Sequence, residues 1–415
     1  MKNKEGFTLV ELLAVIVILA VILIIAIPQI MDTIKETKLK TMEDSAKLIA
    51  TNAEKDYLAQ QTINSNYNAT SIPCSDVAKL SKDYASCTIT YNDSGVATVK
   101  LKGADGGKFS GVTCTGTKDN INCKQALPGY TDAVELLTSK IGTGGLIKDD
   151  HNELRYQGAT VDNYVTFNDE SWRIVGLFNV DGEQRVKLVR KERIGTYSWD
   201  SSSSSINGGR GINEWSQADL MRELNGEYYN PPTNGSTWTN WYGAINDTKN
   251  MQYSYSKSLN SNARSLIGDA IWYLGGSEKG ITVEQQYNNE RGLITCQEEN
   301  TIGCVYNSKN DGIERTTSWV GKVGLIYLSD FIYATSENSC KNDTNIGCGP
   351  GWLDDVGFTL TPSFSSATDV FYISVSSIGL TFASRVPNVR PSVYLIPGVQ
   401  MKGSGTTSDP YVFAE

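Results

Sequence analysis

Residues 1–28 read MKNKEGFTLVELLAVIVILAVILIIAIP, and one carboxylate, Glu11, interrupts an otherwise apolar run. Phe7 to Pro28 is long enough to span a bilayer, since about 20 helical residues cross ~30 Å of hydrocarbon. Lys2 and Lys4 precede the run, so the positive-inside bias places the first six residues in the cytoplasm and the remainder outside. No small-x-small cleavage site follows cleanly, and the run is long for the apolar region of a signal peptide. A charge at the bilayer centre costs roughly 2.5–3.5 kcal/mol, so Glu11 calls for a role. Two are open: a protonated or snorkelling side chain in a plain anchor, or a partner for another charge.

The apolar periodicity continues past Pro28. Ile30, Ile34, Met42, Ala46, Ile49, Ala53 and Tyr57 recur at three-, four- or eight-residue steps, with one missed turn near Lys38. That spacing predicts an amphipathic helix. Residues 7–60 then form one helix, about 80 Å long at 1.5 Å per residue. Pro28 lies inside it and is expected to break or kink it.

The stretch K-E-G-F-T-L-V-E at residues 4–11, followed by an apolar helix, resembles the class III leader of type IV pilins and type II secretion pseudopilins. The resemblance implies a six-residue leader that prepilin peptidase cuts between Gly6 and Phe7, and N-methylation of Phe7. Glu11 matches the family's acidic position, and Pro28 its helix-breaking proline. Glu11 would then pair with the new amine of a neighbouring subunit, because an unpaired buried charge is costly and a satisfied pair recovers most of that cost. Such pairing sets the axial register between subunits, which meet through this helix. The implied location is the cell membrane before assembly and a surface filament after it.

After a polar connection, Thr88–Tyr91, Val96–Leu101 and Phe109–Thr115 alternate and are separated by turn sequences, which predicts an antiparallel meander. Residues 61–125 therefore form a small β domain, and its order after a long helix is similar to the pilin architecture. Residues 126–415 hold all eight tryptophans and mix helical and strand-like runs. The fold class is α+β, with a large extracellular second part of one domain or two subdomains. In that part 132–141, 216–229 and 262–276 read as helices. The stretches 163–195, 322–335, 369–382 and 390–403 read as strands, with Val180-Asp181-Gly182-Glu183 as a hairpin turn. Three phrases, NYVTFNDESWRIVGLF, VGLIYLSDFIYA and RPSVYL followed by GSGTTSDPY, resemble a module of uncharacterised Gram-positive surface proteins; this implies an exported context and no particular chemistry.

Net charge is −9, which argues against a nucleic-acid partner. A local basic surface would have to come from VKLVRKER (186–193), which a solvated strand end explains equally well. The only histidine, His151, sits in a polar stretch and reads as an exposed loop residue, and one histidine cannot build a histidine-rich zinc site. With no G-x-S-x-G elbow and no phosphate-binding loop, nothing points to an enzyme. Eight cysteines fall in four short-range couples, Cys74 and Cys87, Cys114 and Cys123, Cys296 and Cys304, Cys340 and Cys348. That pattern suits local disulfides made outside the cytosol, with other pairings open. Trp199, Trp215, Trp238 and Trp241 are candidates for a glycan-stacking face, against the commoner role of aromatics as core. Asp311, Asp354 and Asp355 sit in loops with calcium-friendly oxygens but lack EF-hand spacing; solvated loop carboxylates are the plainer alternative, and no other cofactor is implied. Three roles follow: a processed filament subunit displaying its large domain, an adhesin for a surface glycan or protein, or an unprocessed single-pass ectodomain.

Overall fold

Helix α1 (Leu9–Ile63) runs for 55 residues. The computed structural model describes residues 9–92, 94–180, 182–201, 208–226, 228–230, 258–291, 313, 315–336, 339–343, 348, 351–375 and 377–414, and for 9–12 and 14–32 the backbone alone. Helix α1 runs through Pro28 as one element, as the expected single helix over residues 7–60 does. A proline removes one intrahelical hydrogen bond, and the helix formers on both sides retain theirs. Within residues 1–128 the buried stripe of α1 is Met42, Ala46, Ile49, Ala50, Ala53 and Tyr57. Ile34, expected on this stripe, is 51% exposed, because the sheet covers the helix only from about Leu39 onward.

That sheet is a five-stranded antiparallel meander of β1 (Ser71–Pro73), β2 (Tyr84–Tyr91), β3 (Ala97–Gly103), β4 (Val112–Thr117) and β5 (Asn120–Gln125), in that order. Strict alternation on β3 buries Ala97, Val99 and Leu101. The small alanines at 46, 50 and 53 let the sheet approach α1, and Glu54 fastens the two by accepting from the Ala97 amide and pairing with Lys118 at 2.7 Å. Phe109 is buried but precedes its strand, which starts at Val112. Cys74–Cys87 and Cys114–Cys123 are disulfides; the second joins directly opposed residues of β4 and β5, with Cα atoms 4.0 Å apart.

Residues 129–415 form a second compact unit with its own core. It opens with β6 (Thr131–Asp132), α2 (Ala133–Ser139), β7 (Leu146–Lys148), β8 (Leu154–Tyr156), β9 (Tyr164–Phe167), β10 (Glu170–Val180), β11 (Glu183–Arg190) and β12 (Gly195–Thr196). The middle holds α3 (Asp219–Asn225), α4 (Ser261–Leu266), β13 (Ala270–Tyr273), α5 (Val283–Glu290), β14 (Ser318–Gly321), β15 (Val323–Gly324), α6 (Leu328–Ala334) and α7 (Ser339–Asn342). It closes with β16 (Gly357–Pro362), β17 (Asp369–Ser374), β18 (Ser377–Phe382), β19 (Asn388–Val389), β20 (Ser392–Tyr394), β21 (Gln400–Lys402) and β22 (Tyr411–Phe413).

The main sheet has ten strands in the path β15-β20-β11-β10-β9-β22-β21-β6, with β8 also pairing β10 and β7 pairing β8. Its centre is the β10–β11 hairpin, closed at Val180 and Glu183, where Gly182 takes φ +81° as a tight two-residue turn requires. A register shift between Ile174 and Gly176 lets β10 pair β9 with its first half and β8 with its second. Strands β16, β17 and β18 make a separate antiparallel sheet.

Two apolar runs differ from expectation. The run 262–276 is a helix, α4, followed by a strand, β13, instead of one helix. Gly268, a poor helix former, lies between them against the Arg185 guanidinium. The run 322–335, expected as strand, turns helical at α6 because the Asp330 side chain accepts from the Tyr327 amide at the helix start. Helix α5 was not anticipated, although a Thr282/Gln285 capping box marks its start.

Candidate functional site

Five elements of the second unit bring ionisable side chains together inside its core. Strand β8 supplies Arg155, β11 supplies Lys187 and α6 supplies Asp330, while Arg291 follows α5 and the β7–β8 turn supplies Asp149 and Glu153. Arg155 holds three carboxylates: Nε to Asp149 at 2.6 Å, Nη2 to Glu153 at 2.6 Å and Nη1 to Asp330 Oδ1 at 2.9 Å. Lys187 Nζ meets the other oxygen, Asp330 Oδ2, at 2.5 Å, and neither side chain is exposed at all. Arg291 lies 3.9 Å from Glu153. Three cations thus face three carboxylates, and paired charge is the condition under which burial is tolerated.

Aromatic rings wall this cluster. Lys187 Nζ is 4.4 Å from the Tyr327 ring centre, 5.2 Å from Tyr394, 5.4 Å from Trp272 and 5.6 Å from Phe178. The Arg155 guanidinium lies 4.6 Å from both Phe178 and Tyr333. Burial pushes the Asp330 carboxyl up, but Lys187, Arg155 and Arg291 outweigh it and hold the group at about 2. Burial lowers Lys187 to about 8, only partly opposed by Asp330, which it shares with Arg155. Beside them Glu290, also buried, is raised by desolvation, against hydrogen bonds from the Ser329 amide and the Thr361 hydroxyl.

A cleft of about 580 Å³ opens beside the cluster, and Asp149 and Tyr333 belong to both. Its walls carry Lys148, Asp150, Gln157, Glu284 and Lys341, so it is polar and of mixed charge. His151 is not the free loop residue expected. Its ring stacks on Tyr287 at 3.7 Å between centres, with Nε2 2.9 Å from Glu284.

Other expected site residues fare differently. Trp199 and Trp215 are 0% and 1% exposed and lie 5.3 Å apart in the core, so they offer no stacking face; Trp238 and Trp241 lie outside the described residues. Asp354 and Asp355 are exposed, with Asp355 engaged by Asn388, and no described group of three or more potential ligands could hold a metal. Asp311 lies outside the described residues. The stretch 186–193 is not a basic surface. Lys187 is central to the cluster and Arg190 makes a two-point contact with Glu170, which leaves Lys191, Glu192 and Arg193 exposed. Cys340–Cys348 is a disulfide, whereas Cys296 and Cys304 are not described. The cluster itself was missed, although its signal is a charge embedded in an apolar run, as in Val186-Lys187-Leu188 and Ser329-Asp330-Phe331.

Gly6 and Phe7 lie outside the described residues, and Glu11 and Pro28 are described in backbone only. A family model, the prokaryotic N-terminal methylation motif, matches residues 1–27. The chain carries a class III prepilin leader. The leader match ends within α1 and does not reach the second unit. No curated protein and no solved structure matches the chain. Among the described residues no helix is long and apolar enough to cross a membrane; of the apolar run that follows the leader, only Leu13 has a described side chain.

Proposed function

We propose that the chain is a pilin-like subunit, cut between Gly6 and Phe7, N-methylated on Phe7 and assembled through α1 into, or at the tip of, a type IV pilus or type II secretion-like filament. The observation that carries this reading is the leader match at residues 1–27, continuous with a 55-residue helix whose outer half packs on an antiparallel meander. Glu11 then neutralises the new amine of an adjacent subunit. A second unit of residues 129–415 on every subunit would crowd a helical array, which favours a minor, tip or priming position. That unit is cargo with no enzymatic role. Its tryptophan pair being buried removes one ground for a sugar-binding adhesin, and the polar cleft is one concavity of the unit. The test is mass spectrometry of the amino terminus on protein from its native host. A chain beginning at N-methyl-Phe7 supports the reading. A chain beginning at Met1, in a host with active prepilin peptidase, reduces it to an anchored ectodomain.

A further inference from the structure

We propose that Lys187 and Asp330 become joined by an amide bond between Nζ and Cγ, so that strand β11 is covalently tied to helix α6. The amine and carboxyl are already in contact at 2.5 Å, their side chains have no exposure, and four aromatic rings stand around the amine. Held reactants of this kind react at effective concentrations far above any reached in solution. The modification is independent of whether the subunit enters a filament.

The step needs no co-reactant. A proton passes from the Lys187 ammonium to Asp330 Oδ2 along their hydrogen bond, leaving an amine and a carboxylic acid. The nitrogen lone pair attacks Cγ, and charge develops on Oδ1, to which Arg155 Nη1 donates at 2.9 Å. Oδ2, which also accepts from the Tyr327 amide at 2.9 Å, leaves as water with the transferred proton and a second one from nitrogen. The ammonium and carboxylate are thereby replaced by one neutral amide and one water. Burial favours this outcome, because a neutral amide avoids the desolvation cost of the two charges.

Two features set the rate in opposite directions. Burial lowers Lys187 to about 8, which eases loss of its proton and favours the nucleophilic amine. The cations around Asp330 keep its carboxyl ionised, and only the neutral acid is a good electrophile. Condensation is therefore a slow maturation of the folded chain rather than a step in folding.

The decisive measurement is the reduced, denatured mass of the full-length chain, followed by peptide mapping, on freshly purified protein and after prolonged incubation at pH 8. The expected result is a mass lower by one water and a branched peptide joining the Lys187 and Asp330 segments. Lys187→Ala should show the full unmodified mass. Asp330→Asn should lose ammonia instead and converge on the mass of matured wild type. Wild-type protein that keeps its full mass after incubation, with Lys187 and Asp330 in separate peptides, overturns the proposal. A water lost elsewhere, with those two peptides still separate, overturns it equally.

Discussion

Arg155 donates to Asp149, Glu153 and Asp330 from one guanidinium, so its removal takes one cation from three buried carboxylates at once, leaving Lys187 to Asp330 and the more distant Arg291 to Glu153. Breaking one side of a buried ion pair costs about 3–5 kcal/mol, and Arg155→Ala should lose at least that in denaturant-induced unfolding of the second unit. An unchanged midpoint would mean that water reaches the cluster. Glu290 allows a test through pH. Its carboxyl is raised by burial, so its contribution to stability is full below the unfolded carboxyl range and is lost as pH rises through the folded value. Glu290→Gln retains an acceptor and cannot ionise. The variant should therefore show a smaller drop in thermal midpoint than wild type on going from acid to neutral pH.

At the scale of elements, the hairpin between β2 and β3 meets α1 at one tight point. Gly95 has φ +74°, and a Cβ there would lie 2.6 Å from the Tyr57 ring. Gly95→Ala combines an unfavourable backbone with overpacking and should destabilise the first unit by about 1–3 kcal/mol, read from its thermal transition. Much at this scale was legible. The amphipathic half of α1, strands β2 to β4 and the β10–β11 hairpin follow from periodicities of 3.6 and 2 and from an Asp-Gly turn. Runs 262–276 and 322–335 were not, because short apolar segments read alike as helix or strand until tertiary contacts decide. Here the Asp330 cap and the close approach of Arg185 to Gly268 decide them. The charge cluster was illegible for a related reason. Arg155, Lys187 and Asp330 are far apart in the chain, and only the fold shows that each faces another instead of water.

For the whole molecule, two separate hydrophobic cores predict two unfolding transitions in calorimetry instead of one. Replacing both Cys114 and Cys123 by serine should lower only the transition of the first unit, since a disulfide closing so short a loop contributes about 2–3 kcal/mol. A shift of both transitions together would show that the units unfold as one. The leader was legible because it is a contiguous string, whereas the role of the second unit depends on a surface that no contiguous string encodes.

The strand order of the main sheet has a consequence in time. Strand β22, at residues 411–413, lies between β9 and β21, and β6 at the sheet's edge pairs only with β21. A chain made from its amino terminus can finish the first unit while the second is still being synthesised. The ten-stranded sheet must wait, with a gap beside β9, until residues 411–413 arrive to fill it. A nascent chain stopped short of residue 400 would present that unpaired strand edge to its neighbours, so β21 and β22 act as the latch on the ten-stranded sheet.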